Sequence, residues 1–110
     1  MNHITYQTEK RINQIKKISI HDRTMQQKLA VFIWDDIFSK CGYLGATLKE
    51  LEEYLNHKLD NTRQENAPQY LKEEGIYGIE YTTQRNVRYV GTNDLSYINI
   101  EDFNKWIKSL

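Results

Sequence analysis

The apolar residues of this chain change their spacing at Gly75. Before this glycine, they recur every three or four residues, which is typical of amphipathic helices. After it, Tyr77, Ile79 and Tyr81 alternate with small or polar residues, and so do Val87 and Tyr89 beyond a turn at 83–86. The change of period predicts an α+β fold in which helices precede a β-hairpin.

Two capping boxes mark the start of the first two helices of this core. They are the pairs Thr24 with Gln27 and Thr47 with Glu50. The first opens a helix that runs towards Gly42, with an apolar stripe formed by Met25, Leu29, Phe32, Ile33 and Ile37. The second opens a short helix with an apolar face formed by Leu48, Leu51, Tyr54 and Leu55.

A third helix ends at Gly75, and its start has two candidate caps. These are Thr62 with Glu65 and Asn66 with Gln69. Pro68 is tolerated only in the first turn of a helix, because it lacks an amide donor and its ring clashes with a preceding turn. We therefore favour a helix over about 67–74 that follows a turn-like segment at 62–65.

Both ends of the chain extend this core. Residues 1–20 form an N-terminal extension whose helical stripe, Ile4, Ile12, Ile15 and Ile18, leads to a short extended piece at 18–20. This stripe must be buried on the domain or on a second copy, so a homodimer stays open. Residues 95–110 hold a C-terminal helix over 103–110 that follows Asn99. Glu101 and Asp102 lie in its first turn, where the helix dipole favours acidic residues. Its apolar face is formed by Phe103, Trp106, Ile107 and Leu110.

Length and composition set the class of protein. A chain of 110 residues has room for one domain, and Phe32, Trp34, Phe38, Phe103 and Trp106 are expected to fill its core. The formal net charge of zero excludes a strongly basic histone-like binder and an acidic mimic of DNA. One cysteine and short apolar runs indicate a cytoplasmic protein without a membrane span. Many Ile, Asn, Lys and Tyr residues with few Ala and Pro are typical of AT-rich genomes, including bacterial mobile elements and phages.

The order of elements resembles the winged helix-turn-helix domain. The segment Leu71-Lys72-Glu73-Glu74-Gly75-Ile76 is similar to the pattern that ends the recognition helix of that family and leads into its wing. The resemblance covers residues 23–91 and implies a three-helix core with a β-hairpin wing, flanked by the N- and C-terminal helices. It departs from the family in the long connection at 56–61 and in the position of Pro68.

The resemblance implies DNA as the partner. Arg63, Gln64, Asn66 and Gln69 would lie on the exposed side of the recognition helix, where such side chains can bind base edges. The wing would bring Gln84, Arg85 and Arg88 to phosphates or to a minor groove. Ordinary solvated turn and strand residues are the alternative interpretation of both sets.

The N-terminal extension is the basic part of the chain. Residues 1–23 carry a net charge of +3, and the lysines and arginines of its first helix are Lys10, Arg11, Lys16 and Lys17. These residues could extend an electropositive stripe to the wing, or they could simply solvate a helix face.

The sequence offers no positive support for an enzyme, a cofactor or a metal site. His3, His21 and His57 lack metal-ligand spacing, and Cys41 has no His or Cys neighbour in sequence. Asp35 and Asp36 are adjacent, so they point in different directions on a helix. Gly42 and Gly45 lack the Lys-Ser or Lys-Thr of a phosphate loop.

Two functions follow from these features. The first is a small winged-helix DNA-binding protein, either a transcriptional regulator or a DNA-handling factor of a mobile element or phage. The alternative is a non-catalytic accessory or inhibitor module that binds a larger replication or recombination enzyme or a host protein. Exposed tyrosines at Tyr77, Tyr81 and Tyr89 would anchor such a partner.

Overall fold

The chain folds into helices and a small antiparallel sheet, which makes it an α+β protein. A computed structural model describes residues 4–38, 47, 49–50, 53, 67–81, 86–91, 98–99 and 102–110. The elements are α1 (Tyr6–Lys16), a 3₁₀ turn (Ile20–Asp22), α2 (Met25–Ile33), a π-helical turn (Trp34–Phe38), α3 (Gln69–Lys72), β1 (Ile76–Tyr81), β2 (Asn86–Gly91), β3 (Ile98–Asn99) and α4 (Phe103–Lys108). Among the described residues, no helix is long and apolar enough to span a membrane.

Helix α1 packs its isoleucine stripe inside the domain. Thr5 caps the helix by accepting a hydrogen bond from the Thr8 amide at 3.1 Å. Ile4 and Ile12 belong to the main core, and Ile15 is fully buried as well. The packing of the stripe on the domain, one of the two predicted arrangements, is confirmed for these three residues, whereas Ile18 is only half-buried.

The predicted extended piece at 18–20 is wrong, because Arg23 holds this segment in a turn. Its Nε donates to the Ile18 carbonyl at 3.0 Å, and its Nη2 donates to the Lys16 carbonyl at 2.9 Å. The 3₁₀ turn follows at once, with Ile20 partly exposed. Arg23 therefore neutralises the carbonyl end of α1 and directs the chain into α2.

The predicted capping box of α2 is confirmed. The Gln27 amide donates to Thr24 Oγ1 at 3.1 Å, and the Thr24 amide donates to Gln27 Oε1 at 2.9 Å. Leu29 and Ile33 are fully buried, but Met25 is 37% exposed. The prediction of Met25 as a core residue is wrong, because the first turn of α2 begins outside the core.

The helical hydrogen bonding changes at Trp34, where the π-helical turn begins. Ile37 and Phe38 are buried in this turn, and Trp34 packs against the core. Four aromatic rings contact each other in series. The centroid distances are 5.2 Å between Trp34 and Phe38, 4.5 Å between Phe38 and Phe103, and 5.6 Å between Phe103 and Trp106. Four of the five predicted core aromatics thus form one chain of rings, and the fifth, Phe32, is also buried.

The predicted second helix lies almost entirely outside the described residues. Lys49, Glu50 and Glu53 have helical backbone. The Glu50 amide donates to Thr47 Oγ1 at 3.0 Å, as the predicted cap requires. Leu48, Leu51, Tyr54, Leu55 and the alternative caps at 61–66 are not among the described residues.

Helix α3 is shorter than the predicted helix over 67–74. Pro68 has extended backbone, with ψ of 164°, and the helix begins only at Gln69. The Ala67 amide donates to the Tyr77 carbonyl at 2.9 Å, which binds this residue to the sheet. Gly75 ends the helical segment with a φ of 84°, a left-handed conformation that glycine adopts without a steric penalty.

Strands β1 and β2 pair antiparallel at the positions predicted for a hairpin. Of the predicted turn 83–86, residues 83–85 lie outside the described residues, and Asn86 is wrong as a turn residue because it begins β2 and pairs with Asn99. Ile76 pairs with Gly91 and Gly78 pairs with Val90, so Tyr77 is the extra residue of a β-bulge. The bulge leaves Ile76 and Ile79 buried and Tyr77 43% exposed. The predicted common face of Tyr77 and Ile79 is therefore wrong.

The C-terminal helix and β3 complete the described fold. Asn99 belongs to β3, which pairs with β2, and Asp102 is the N-cap of α4 rather than a first-turn residue. Helix α4 ends at Lys108, with Phe103 and Ile107 fully buried. Asn104 joins it to α1, because its Oδ1 accepts a hydrogen bond from Thr8 Oγ1 at 2.6 Å.

A buried ammonium group connects α2 to the end of the helical segment before Gly75. Lys28 Nζ lies 2.5 Å from Glu74 Oε1, and the side chains are 9% and 39% exposed. We expect Glu74→Gln to lower the free energy of unfolding by about 1 to 3 kcal/mol, because it leaves a buried charge without its counterion. Lys28→Met, the matched variant, should cost less, because the remaining carboxylate can be hydrated. Denaturant titration measures both, and equal losses would contradict this account.

Candidate functional site

Most of the predicted base-reading residues fall outside the part of the chain that the structure describes. Arg63, Gln64 and Asn66 precede α3, and Gln84 and Arg85 lie between β1 and β2. Their contact with DNA stays a prediction from the sequence.

Two residues of the predicted helix and wing are described. Gln69 is exposed at the first residue of α3. Arg88 is half-buried in β2, where the register places it opposite Glu80 of β1. Opposite charges at paired positions stabilise an antiparallel sheet. Arg88 therefore lies within the paired part of the hairpin, with an acidic neighbour across the sheet.

The basic residues of α1 divide into two kinds. Arg11 donates hydrogen bonds to the Leu110 carbonyl and to Gln14 Oε1. Lys16 forms an ion pair with Asp35 at 3.0 Å. Lys10 and Lys17 are exposed and form no ion pair with any other described residue. Two of the four predicted cations thus hold the fold together, and two are available to a ligand.

Lys10 and Lys17 lie in a groove on the outer face of α1, which we call the α1 groove. Its volume is about 340 Å³, and its lining residues are Tyr6, Glu9, Lys10, Asn13, Gln14 and Lys17. Tyr6 is 72% exposed, which is more than the exposure of Tyr77, Ile20 or Met25. The groove therefore combines an aromatic ring, two amides and two ammonium groups.

Glu9 gives the α1 groove an acceptor without a donor. Its Oε2 is buried and has no hydrogen-bond partner among the described residues. A buried carboxylate oxygen without a donor is costly, because it has lost its hydration without replacing it.

The predicted tyrosine surface is only partly described. Tyr77 is exposed because of the bulge. Tyr81 and Tyr89 lie in β1 and β2, but their side chains are not described. Of the three tyrosines, Tyr77 is the one whose side chain the structure describes, and it lies at the surface.

A polar cluster joins α1, α3 and the π-helical turn beside the core. Burial raises the pKa of the Tyr70 hydroxyl, the neighbouring Asp35 carboxylate raises it further, and the Arg23 guanidinium lowers it. Asp35 also binds Lys16. Arg23 donates to carbonyls at the end of α1, so both charged neighbours of Tyr70 already have partners and the cluster offers no free charged group.

Comparisons with family models, with curated proteins and with solved structures found no match. The described residues contain no group of three or more His, Cys, Asp or Glu side chains that could hold a metal ion. The functional assignment therefore depends on the residues of the chain itself.

Four of the six groove residues were not predicted as site residues from the sequence. They are Tyr6, Glu9, Asn13 and Gln14, which share a helix face with Lys10 and Lys17. The signal was present, since these positions lie opposite the isoleucine stripe of α1. Spacing around the helix would have grouped them.

Proposed function

We propose that the protein binds duplex DNA as a winged helix-turn-helix module, in a transcriptional regulator or a DNA-handling factor. The supporting observation is the order of elements along the chain: helix α3 is followed by the left-handed Gly75, and Gly75 is followed by the paired strands β1 and β2. Helix α3 contacts both α2 and β1. In a winged helix, this arrangement presents a recognition helix and a wing to the same duplex.

The roles of the side chains follow from this arrangement. Gln69 is exposed on α3, and Arg63, Gln64 and Asn66 precede it, so this part of the chain would bind base edges. Arg85 and Arg88, with Gln84, would bind phosphates or the minor groove from the wing. The single cysteine agrees with a protein that acts in the cytoplasm.

Substitution of Arg85 and of Arg63 should distinguish contacts that position the protein on the DNA backbone from contacts that recognise a base. We expect Arg85→Ala to weaken binding to all duplexes and to lower the salt slope by about one, because one phosphate contact is lost. Arg63→Ala should cost about 1 to 3 kcal/mol at one base position. Fluorescence anisotropy with duplexes over a salt series measures both.

Lys105→Gln removes an exposed lysine of α4 outside this surface and is the matched control. Its salt slope should equal that of the natural chain. Absence of duplex binding at low salt would contradict the proposal.

Binding of a protein partner is the second candidate function. The bulge exposes Tyr77, and exposed tyrosines are frequent anchors of protein interfaces. In this case the chain would act as an accessory or inhibitor module of a larger replication or recombination enzyme. Tyr77→Ala should then abolish co-purification with that enzyme, whereas Arg85→Ala should not.

A further inference from the structure

The α1 groove lies outside the helix and wing that the proposed function assigns to duplex DNA. It carries two lysines, two amides and an aromatic ring on one face of a single helix. This combination differs from the purely charged surface that binds a duplex backbone.

Two lysines that form no ion pair with a described residue lie on the same side of α1. Lys10 and Lys17 are seven residues apart, so they are separated by about 10.5 Å along the helix axis. One strand that runs along α1 can therefore place a phosphate near each ammonium group and release the counterions of both phosphates.

Tyr6 offers a ring for base stacking at the N-terminal end of the same face. It lies one helical turn before Lys10, and its large exposure leaves the ring accessible. A base can stack on such a ring only when it is not enclosed in a duplex, and aromatic platforms of this kind bind single strands. Asn13 and Gln14 lie between the lysines and can donate to phosphate or base oxygens.

We propose that the α1 groove is a binding site for unpaired DNA, separate from the duplex surface. Lys10 and Lys17 bind two phosphates of one strand, and Tyr6 stacks on an unpaired base. The protein then holds a single strand next to a duplex, as a factor that acts at a fork or an unwound site must do.

The test measures the binding of oligodeoxythymidylate and of a duplex of equal length by the full chain over a salt series. Tyr6→Ala should weaken single-strand binding about tenfold, and Tyr6→Phe, which keeps the ring, should not. Lys10→Gln combined with Lys17→Gln should lower the salt slope of single-strand binding by about 1.4, at about 0.7 for each phosphate.

Lys105→Gln is again the control, and melting temperatures establish that the variants fold. Unchanged single-strand binding in Tyr6→Ala and in the lysine pair would overturn the proposal. Equal weakening of duplex and single-strand binding would also overturn it, because the groove would then be a general cationic surface. Failure of the natural chain to bind a duplex would contradict the proposed function but would leave this test intact.

Discussion

Phe103→Ala is expected to lower the free energy of unfolding by about 3 to 5 kcal/mol. Phe103 is fully buried, and its ring contacts both Phe38 and Trp106. Its removal opens a cavity between α4 and the π-helical turn, which these rigid rings cannot fill. Urea titration followed by tryptophan fluorescence measures the loss.

Phe103→Leu keeps most of the buried volume and serves as the comparison, with a smaller expected loss. If both variants unfolded at the urea midpoint of the natural chain, the chain of rings would not hold α4 in place.

Ile12→Ala combined with Ile15→Ala is expected to have the larger effect. Each residue is fully buried beneath α1, and each truncation of a buried isoleucine costs about 2 to 5 kcal/mol. A domain of this size has a total stability of about 5 to 15 kcal/mol, so the double variant should lose its cooperative transition. Thermal unfolding followed by circular dichroism tests this.

Asn13→Ala combined with Gln14→Ala is the matched control on the same helix. Both residues are exposed, and alanine favours helix formation, so the expected change is within about 0.5 kcal/mol. A loss as large as that of the isoleucine pair would mean that the helix itself, and not its buried stripe, determines the stability.

Local signals predicted most of the described elements. The Thr24 capping box, the stop at Gly75 and the alternation after it depend on neighbouring residues, and the structure has α2, the left-handed glycine and β1 at these positions. The details that the sequence did not predict depend on distant contacts. Arg23 binds carbonyls of α1, and Ala67 binds the Tyr77 carbonyl, and neither contact has a local pattern.

The sequence predicted that α1 carries four cations, but it did not predict which of them bind other groups of the protein. All four cations of α1 looked equivalent in the sequence, yet Arg11 binds the Leu110 carbonyl and Lys16 binds Asp35. These partners are distant along the chain. Only the fold therefore shows that Lys10 and Lys17 are the two cations of α1 without an ion pair among the described residues. The separation of Tyr77 from the buried face of Ile79 was not predicted for a related reason, because a bulge reverses the face of a strand without changing the residue pattern.

The bulge at Tyr77 also protects the chain from aggregation. β1 is an outer strand of the described sheet, and an outer strand of regular pairing is a template on which other chains can add. The bulge twists this strand, and the Ala67 amide occupies the Tyr77 carbonyl that an added strand would need. The irregularity that turns a tyrosine towards solvent is thus also what keeps copies of the protein from joining edge to edge.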